Sequence, residues 1–442
     1  MINIAFYINN KNLPDIDGNI LDICNPGIGG SEYLILLVSS LLAKRNNGIS
    51  VTLYVQKHIN NLNSVHQIIK RDIYESLKDS DITRIDYFII DKKNVNWKYF
   101  NPDKVLRNVK LILWCHNFAY YNEIIKWSKT KSIKCVVNVS KEQYDLWRDS
   151  SIFSKSTYIF NIVQIPKEKV KQALINSSQQ RENNVVYIGS IVPTKSFHIL
   201  AKCWPYIIKN VPDANLFVIG NGKLYNDNNK LGKFGITEED YELKFIHYLT
   251  DENGELLNSV HFLGKLGMEK FDYLQKMKVG VPNPTGISET FCLSAVEMQA
   301  MGVRVTAMAS PGYYDTFCEN NIVDSIDKLR KNIVALLKDN RPSNIDKLVT
   351  FSNNFSSDII IPYWEKLIFN LYHENRIIVD NDLKNNSYRG KMLKDSLRLL
   401  KYKFPFLYSI LPPIELFYEI KDMLILKMNR LRSKIFYCLK KY

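Results

Sequence analysis

Short β-branched and aromatic runs alternate with helical-period segments along most of this chain, and few folds tolerate that order. Ile2–Ile8 opens with an apolar strand, a polar loop ends in GIGGSE at Gly27–Glu32, and Tyr33–Arg45 carries apolar residues at helical spacing. Val51–Val55, Ile85–Ile90, Leu111–Asn117, Cys135–Ser140 and Thr157–Val163 read as further strands. Strand, loop, helix, strand is the pattern of parallel strands joined by crossovers, with helices on the faces of the sheet. After a polar stretch, Gln164–Asn184, the alternation begins again. Val185–Ser190 is a strand, Phe197–Val211 a helix and Ala214–Gly222 a strand with a glycine-rich exit. Val260–Leu266, Val279–Thr285 and Val303–Ala309 follow, with a helix predicted from about Thr290 to Met301. The expected fold is α/β, with two doubly wound Rossmann-like domains over residues 1–165 and 183–355. A helix over 356–376 then crosses back to the first domain, and 381–442 forms a helical extension.

At 442 residues the chain exceeds a single compact core. The N-terminus, MINIAFYINN, carries no basic leader, and no apolar run nears the ~20 residues of a spanning helix. Seven cysteines without a C-x-x-C pair read as reduced thiols of a cytoplasmic protein. The net charge of +14 suggests nucleic acid at first sight, but its distribution argues otherwise. Residues 381–442 hold 14 Lys+Arg against 5 Asp+Glu, so most of the surplus sits on one terminal segment rather than on a folded reader motif.

Two glutamates eight apart, Glu289 and Glu297, stand in ISETFCLSAVEMQAMG. On a helix starting near Thr290 they would be separated by a rise of ~12 Å, with free backbone N–H groups at the mouth to attract an anion. Spacing alone equally describes a helix with one capping and one solvated glutamate. The flanking residues Ser288, Thr290, Phe291, Leu293, Ala300 and Gly302 decide between them. In that frame the segment resembles the retaining GT-B glycosyltransferases of family 4, also called glycosyl transferases group 1.

The resemblance implies that Glu289 contacts the hexose of a nucleotide-diphosphate sugar and Glu297 its ribose, with Thr290, Phe291, Cys292 and Leu293 offering amides to sugar and phosphates. It makes Lys195 a phosphate partner and sets Ser190 where an arginine is common. Gly29 and Gly30 fall in the family's glycine pair; as glycines they permit positive φ and close backbone approach. His116, at the exit of an apolar strand, would lie near the donor sugar, and Gly264 and Leu266 near the base. Glu289, His116 and Lys195 are thus the expected catalytic residues. No D-x-D and no His/Cys cluster with ligand spacing is present, so neither metal nor cofactor is expected beyond the donor itself. The implied reaction is hexosyl transfer with retention to a saccharide or lipid-linked acceptor, in surface polysaccharide or lipopolysaccharide synthesis. A sugar-nucleotide epimerase, or a non-catalytic partner subunit on the same fold, would carry much of the same pattern.

Leu393, Leu397, Leu400 and Phe404 form one helical face of the tail, with Lys391, Lys394, Arg398 and Lys401 adjoining. A basic amphipathic helix of this kind suits an anionic membrane. The expected location is therefore cytoplasmic and peripheral, on the inner face of the membrane.

Overall fold

A computed structural model describes residues 1–45, 47–176, 180–222, 230–341, 343–377 and 390–439, with side chains in the last helix described through Met428 except 425 and 426. Part of the expected connection between the domains, 177–179, and the start of the expected tail, 381–389, lie outside the described residues.

The first unit is a seven-stranded sheet. Its strands are β1 (Ile2–Tyr7), β2 (Ile49–Val55), β3 (His66–Ile69), β4 (Tyr87–Asp91), β5 (Lys110–Cys115), β6 (Ile133–Asn138) and β7 (Ser156–Tyr158). The order is β3-β2-β1-β4-β5-β6-β7, with every pairing parallel. β1, β4 and β5 are almost wholly buried because helices cover both faces, which is why they read as continuous apolar runs rather than alternations.

The second unit repeats the plan with β8 (Asn184–Ile188), β9 (Asn215–Ile219), β10 (Val260–Gly264), β11 (Val279–Gly280) and β12 (Arg304–Val305), ordered β10-β9-β8-β11-β12. A small parallel pair, β13 (Ala307–Met308) and β14 (Ile322–Val323), extends it. Strand order reverses between β1 and β4 in one sheet and between β8 and β11 in the other. These two switch points open a crevice at the carboxyl ends of the strands, where loops part in opposite directions.

Several expected elements come out shorter or displaced. The strand expected over Thr157–Val163 leaves the sheet after Tyr158, and Val163 N–H donates instead to Phe355 O at 2.9 Å. Val279–Thr285 pairs over two residues only, since Pro282 and Pro284 bring no ladder donor. The helix expected from Thr290 starts at Leu293. β3 and the helix Ile73–Ile82 escape a reading by apolar runs, because β3 is a half-exposed edge strand of four residues.

Helix Ser357–His373 packs on the first unit. Ile360, Ile361, Trp364, Ile368 and Leu371 join the core beneath β1 and β2, and the Trp364 ring meets Trp114 edge-on at 4.8 Å. The tail follows as helix Lys391–Lys403, a short turn Leu407–Ile410 and helix Ile414–Leu439.

Candidate active site

The loop 282–292, leaving β11, holds the first glutamate in place without a helix. Ser288 has a left-handed φ of 63°, and Glu289 N–H donates to Gly286 O at 3.0 Å. The Ser310 hydroxyl lies 2.8 Å from the carbonyls of both Gly286 and Glu289, and Tyr313 OH donates to Asn283 O at 2.6 Å. Gly312 sits so close that a Cβ there would lie 2.7 Å from the Thr290 carbonyl carbon. These tethers turn residues 289–292 into an extended bend, so Glu289 and Glu297 do not share one helix.

Glu289 is buried, and its carboxylate accepts from Lys195 Nζ at 2.8 Å and from Asn283 Nδ2 at 3.1 Å. Lys195 closes the 3-10 turn Pro193–Lys195 after β8, before helix Phe197–Asn210. The two residues therefore meet across the switch point of the second sheet, one from each diverging loop. β8 and β9 come together tightly beneath them. Gly220, with φ 133°, lies against Gly189, whose carbonyl oxygen would be 2.0 Å from an added Cβ.

Glu297 lies in helix Leu293–Ala300 and accepts from Lys270 Nζ at 2.6 Å, both side chains being buried. From the first unit come the glycine loop, the β4 exit and His116. Gly29 caps helix Gly30–Lys44, and an added Cβ on Gly30 would lie 3.1 Å from Leu293 Cδ1 of the second unit. Of this loop only Gly27 has positive φ, at 84°; Gly29 has φ −54°, so the pair serves close approach and not a left-handed turn.

His116 follows β5. Its backbone carbonyl accepts from the Thr290 hydroxyl at 2.6 Å, a direct bond between the two units. Its ring lies tilted against Trp114 at 4.3 Å, and Nε2 is buried without a hydrogen-bond partner. Burial, and secondarily the charge of Lys93, holds its pKa well below the ordinary value, so the imidazole is neutral at physiological pH.

One cleft of about 650 Å³ between the units gathers most of the expected residues. Gly29, Gly30, His116, Ser190, Lys195, Leu266, Glu289, Thr290, Phe291, Leu293 and Glu297 line it. Gly264 and Cys292 do not. Gly264 supports the floor through its carbonyl, which accepts from Gly220 N–H at 2.7 Å. Cys292 packs into the core under the loop, where burial pushes its thiol up to about 12.

Four lining residues carry no signal in the sequence reading. Lys93 leaves β4 at the switch point of the first sheet and pairs with Glu32 at 2.6 Å. Burial works to raise Glu32, but the Lys93 charge and its hydrogen bond prevail and hold the carboxyl below its usual range. Neighbouring Asp91 is fully buried, which lifts it to about 6 against the pull of Lys93. Lys265 follows β10, and Lys270 and Asn161 complete the set. Only strand order could have identified Lys93, because nothing in KKN distinguishes it from a surface lysine.

Chemically, the cleft offers amides at the start of helix Leu293–Ala300, lysines on both walls, two buried carboxylates and a neutral imidazole. That combination suits a ligand with an anionic centre and hydroxyl-rich ends. Among the described residues no group of three or more His, Cys, Asp or Glu side chains has the arrangement of a metal site.

Residues 170–354 match the family model of glycosyl transferases group 1. Comparison with curated proteins gives no sequence match. Among solved structures, Anabaena Alr3699/HepE in complex with UDP and glucose superposes with a TM-score of 0.57 at 13% identity, over 84% of this chain and 100% of that one. A glycosyltransferase from Rickettsia africae gives 0.57 at 13%, over 84% and 99%. An α,α-trehalose-phosphate synthase (UDP-forming) from Burkholderia vietnamiensis gives 0.57 at 8%, over 86% and 99%. At such identities the structures speak for the architecture, the two facing Rossmann-like units of the GT-B fold, and the family model shows that the second unit is similar to glycosyl transferases group 1.

Proposed function

We propose that this protein is a retaining hexosyltransferase of family 4, moving a hexose from a nucleotide-diphosphate sugar to a saccharide or lipid-linked acceptor in surface polysaccharide or lipopolysaccharide synthesis. The observation that carries the reading is the Lys195–Glu289 pair at the switch point of the second sheet, facing His116 across a cleft bridged by Thr290. HepE, with the same fold, is described in complex with UDP and glucose, which supports a nucleotide sugar as donor.

In this reading the sugar and diphosphate lie over Glu289 and the start of helix Leu293–Ala300. Glu289 accepts hydrogen bonds from hexose hydroxyls. Lys195 releases Glu289 in part to meet the phosphates, and helix amides share the charge that develops as the glycosidic bond breaks. Buried Nε2 of His116 takes a sugar hydroxyl as its missing partner. Attack from the face of the departing diphosphate, which takes up the acceptor proton, retains the anomeric configuration. The chain then supplies no nucleophile of its own, and no cofactor is called for.

Incubating the purified protein with UDP- and GDP-hexoses tests this, with release of nucleoside diphosphate as the readout. Glu289→Ala and Lys195→Ala are each expected to lower turnover by about 100-fold or more. Full turnover in the double variant would sink the assignment, and an epimerised donor would favour the epimerase.

A further inference from the structure

The tail is placed the opposite way round from what its sequence suggests. Its basic face turns inward. Lys394 is buried against Glu415 at 2.6 Å, and Lys401 is buried with its Nζ donating to Asp149 O at 2.8 Å. Asp149 Oδ2 also accepts from Ile414 N–H at 3.0 Å, and Arg148 of the first unit lies 3.5 Å from Asp395. Helix Lys391–Lys403 is thus fastened to the first unit through charge, and its apolar side is left facing out. Met392, Leu393, Leu399 and Leu400 are exposed there, as are Phe404, Phe406 and Ile410 in the connection that follows.

Helix Ile414–Leu439 continues the surface in an ordered way. At 3.6 residues per turn, Phe417, Ile420, Leu424 and Met428 fall within an arc of about 80°. All four are exposed, from 41% to 58%. Lys421 borders that stripe on one side and Lys427 on the other, both exposed, while Glu415, Glu419 and Asp422 lie on the opposite side of the helix. Glu415 is buried and Glu419 half-buried, Asp422 on the same side is exposed, and the apolar stripe faces outward between the two lysines.

From this arrangement we infer that the outward face of the tail, residues 392–428, is a docking surface for an anionic lipid bilayer, which it meets lying flat. The border lysines choose the occupant. Two copies packed stripe to stripe would bring Lys421 and Lys427 of each against like charge at the flanking positions, whereas anionic headgroups neutralise them while the apolar stripe enters the acyl boundary. No helix among the described residues is long and apolar enough to cross a membrane, so the contact is with one surface. The inference does not depend on the glycosyltransferase reading, since none of these residues lines the cleft.

Co-sedimentation of the full chain with vesicles is the test. One set is phosphatidylcholine alone, and the other adds roughly 30% phosphatidylglycerol, whose charge attracts each lysine near the surface. The full chain is expected to bind the anionic set at least about 10-fold more tightly, and to release it as salt rises. A Leu393→Ser, Phe404→Ser, Ile410→Ser, Phe417→Ser variant should lose binding to both sets. A Lys421→Glu, Lys427→Glu variant should lose only the anionic preference. Unfolding midpoints equal to that of the parent show that the variants remain folded. The inference is overturned if the parent stays in the supernatant with both vesicle sets, or if the apolar variant binds undiminished. It is equally overturned if light scattering shows a dimer that the apolar variant splits while vesicle binding is absent.

Discussion

His116 shows how much of one residue's chemistry depends on what surrounds it. As a neutral imidazole with a buried, unpartnered Nε2, it can hold a hydroxyl but does not titrate near pH 7. His116→Ala should therefore lower transfer by roughly 10- to 100-fold, the cost of one lost hydrogen bond at a buried site. The shape of the rate–pH profile between pH 6 and 8 should not change; loss of an inflection in that range would contradict the neutral assignment. The Glu297–Lys270 pair poses a different case. Both groups are buried, so Lys270→Ala leaves a carboxylate without its cation and should cost about 3 kcal/mol in chemical denaturation. Glu289, Glu297 and Lys195 were legible in the sequence because the residues around them match a family frame. Lys93, Lys270 and Asn283 were not, since a lysine or asparagine in a loop carries no periodicity and no motif. Each acquires its place only when a loop from another strand arrives beside it.

At the scale of elements, loops decide the site more than helices do. Glu289 and Glu297 look like one helical face, but Ser310, Gly312 and Tyr313 hold the intervening backbone in a bend. Gly312→Ala would press on Thr290 and displace that bend. A fall in donor affinity with little change in the unfolding midpoint is expected, and unchanged affinity in a donor titration would argue against the bend's role. Gly220 is more severe, combining positive φ with a carbonyl at 2.0 Å from its absent Cβ. Gly220→Ala should cost about 3 kcal/mol or more, read as a lowered denaturation midpoint, because neither β8 nor β9 can retreat from a packed sheet. Strand existence was readable from buried apolar runs, and strand ends were not. Ile159–Val163 is as β-prone as Thr157, yet it leaves the sheet to reach Phe355.

Across the whole molecule, the two units are joined by few but specific bonds. Thr290 reaches His116, and Asp315 of the second unit accepts from Lys141 N–H at 2.8 Å and Glu142 N–H at 3.2 Å, the start of a helix in the first. Burial raises Asp315 to about 6, with the two N–H groups opposing. Because the folded state binds this proton more tightly than the unfolded chain, its contribution is fully present below pH ~4 and is lost as pH rises through about 6. Asp315→Asn should flatten stability against pH over that window, and an unaltered slope would refute the assignment. The tail belongs to the same scale: Lys401→Ala leaves Asp149 buried without its cation and should cost about 3 kcal/mol. By itself the sequence determined the two α/β units, the Ser288–Gly302 motif and the amphipathic tail, because apolar periodicity and local motifs are properties of neighbours along the chain. Only the tertiary structure decided that Lys93 joins Lys195 in one cleft, that Glu289 stands outside the helix of Glu297, and that Lys394 and Lys401 of the tail turn inward. Those outcomes depend on which strands lie side by side and which charges find partners across the fold, and no local pattern encodes them.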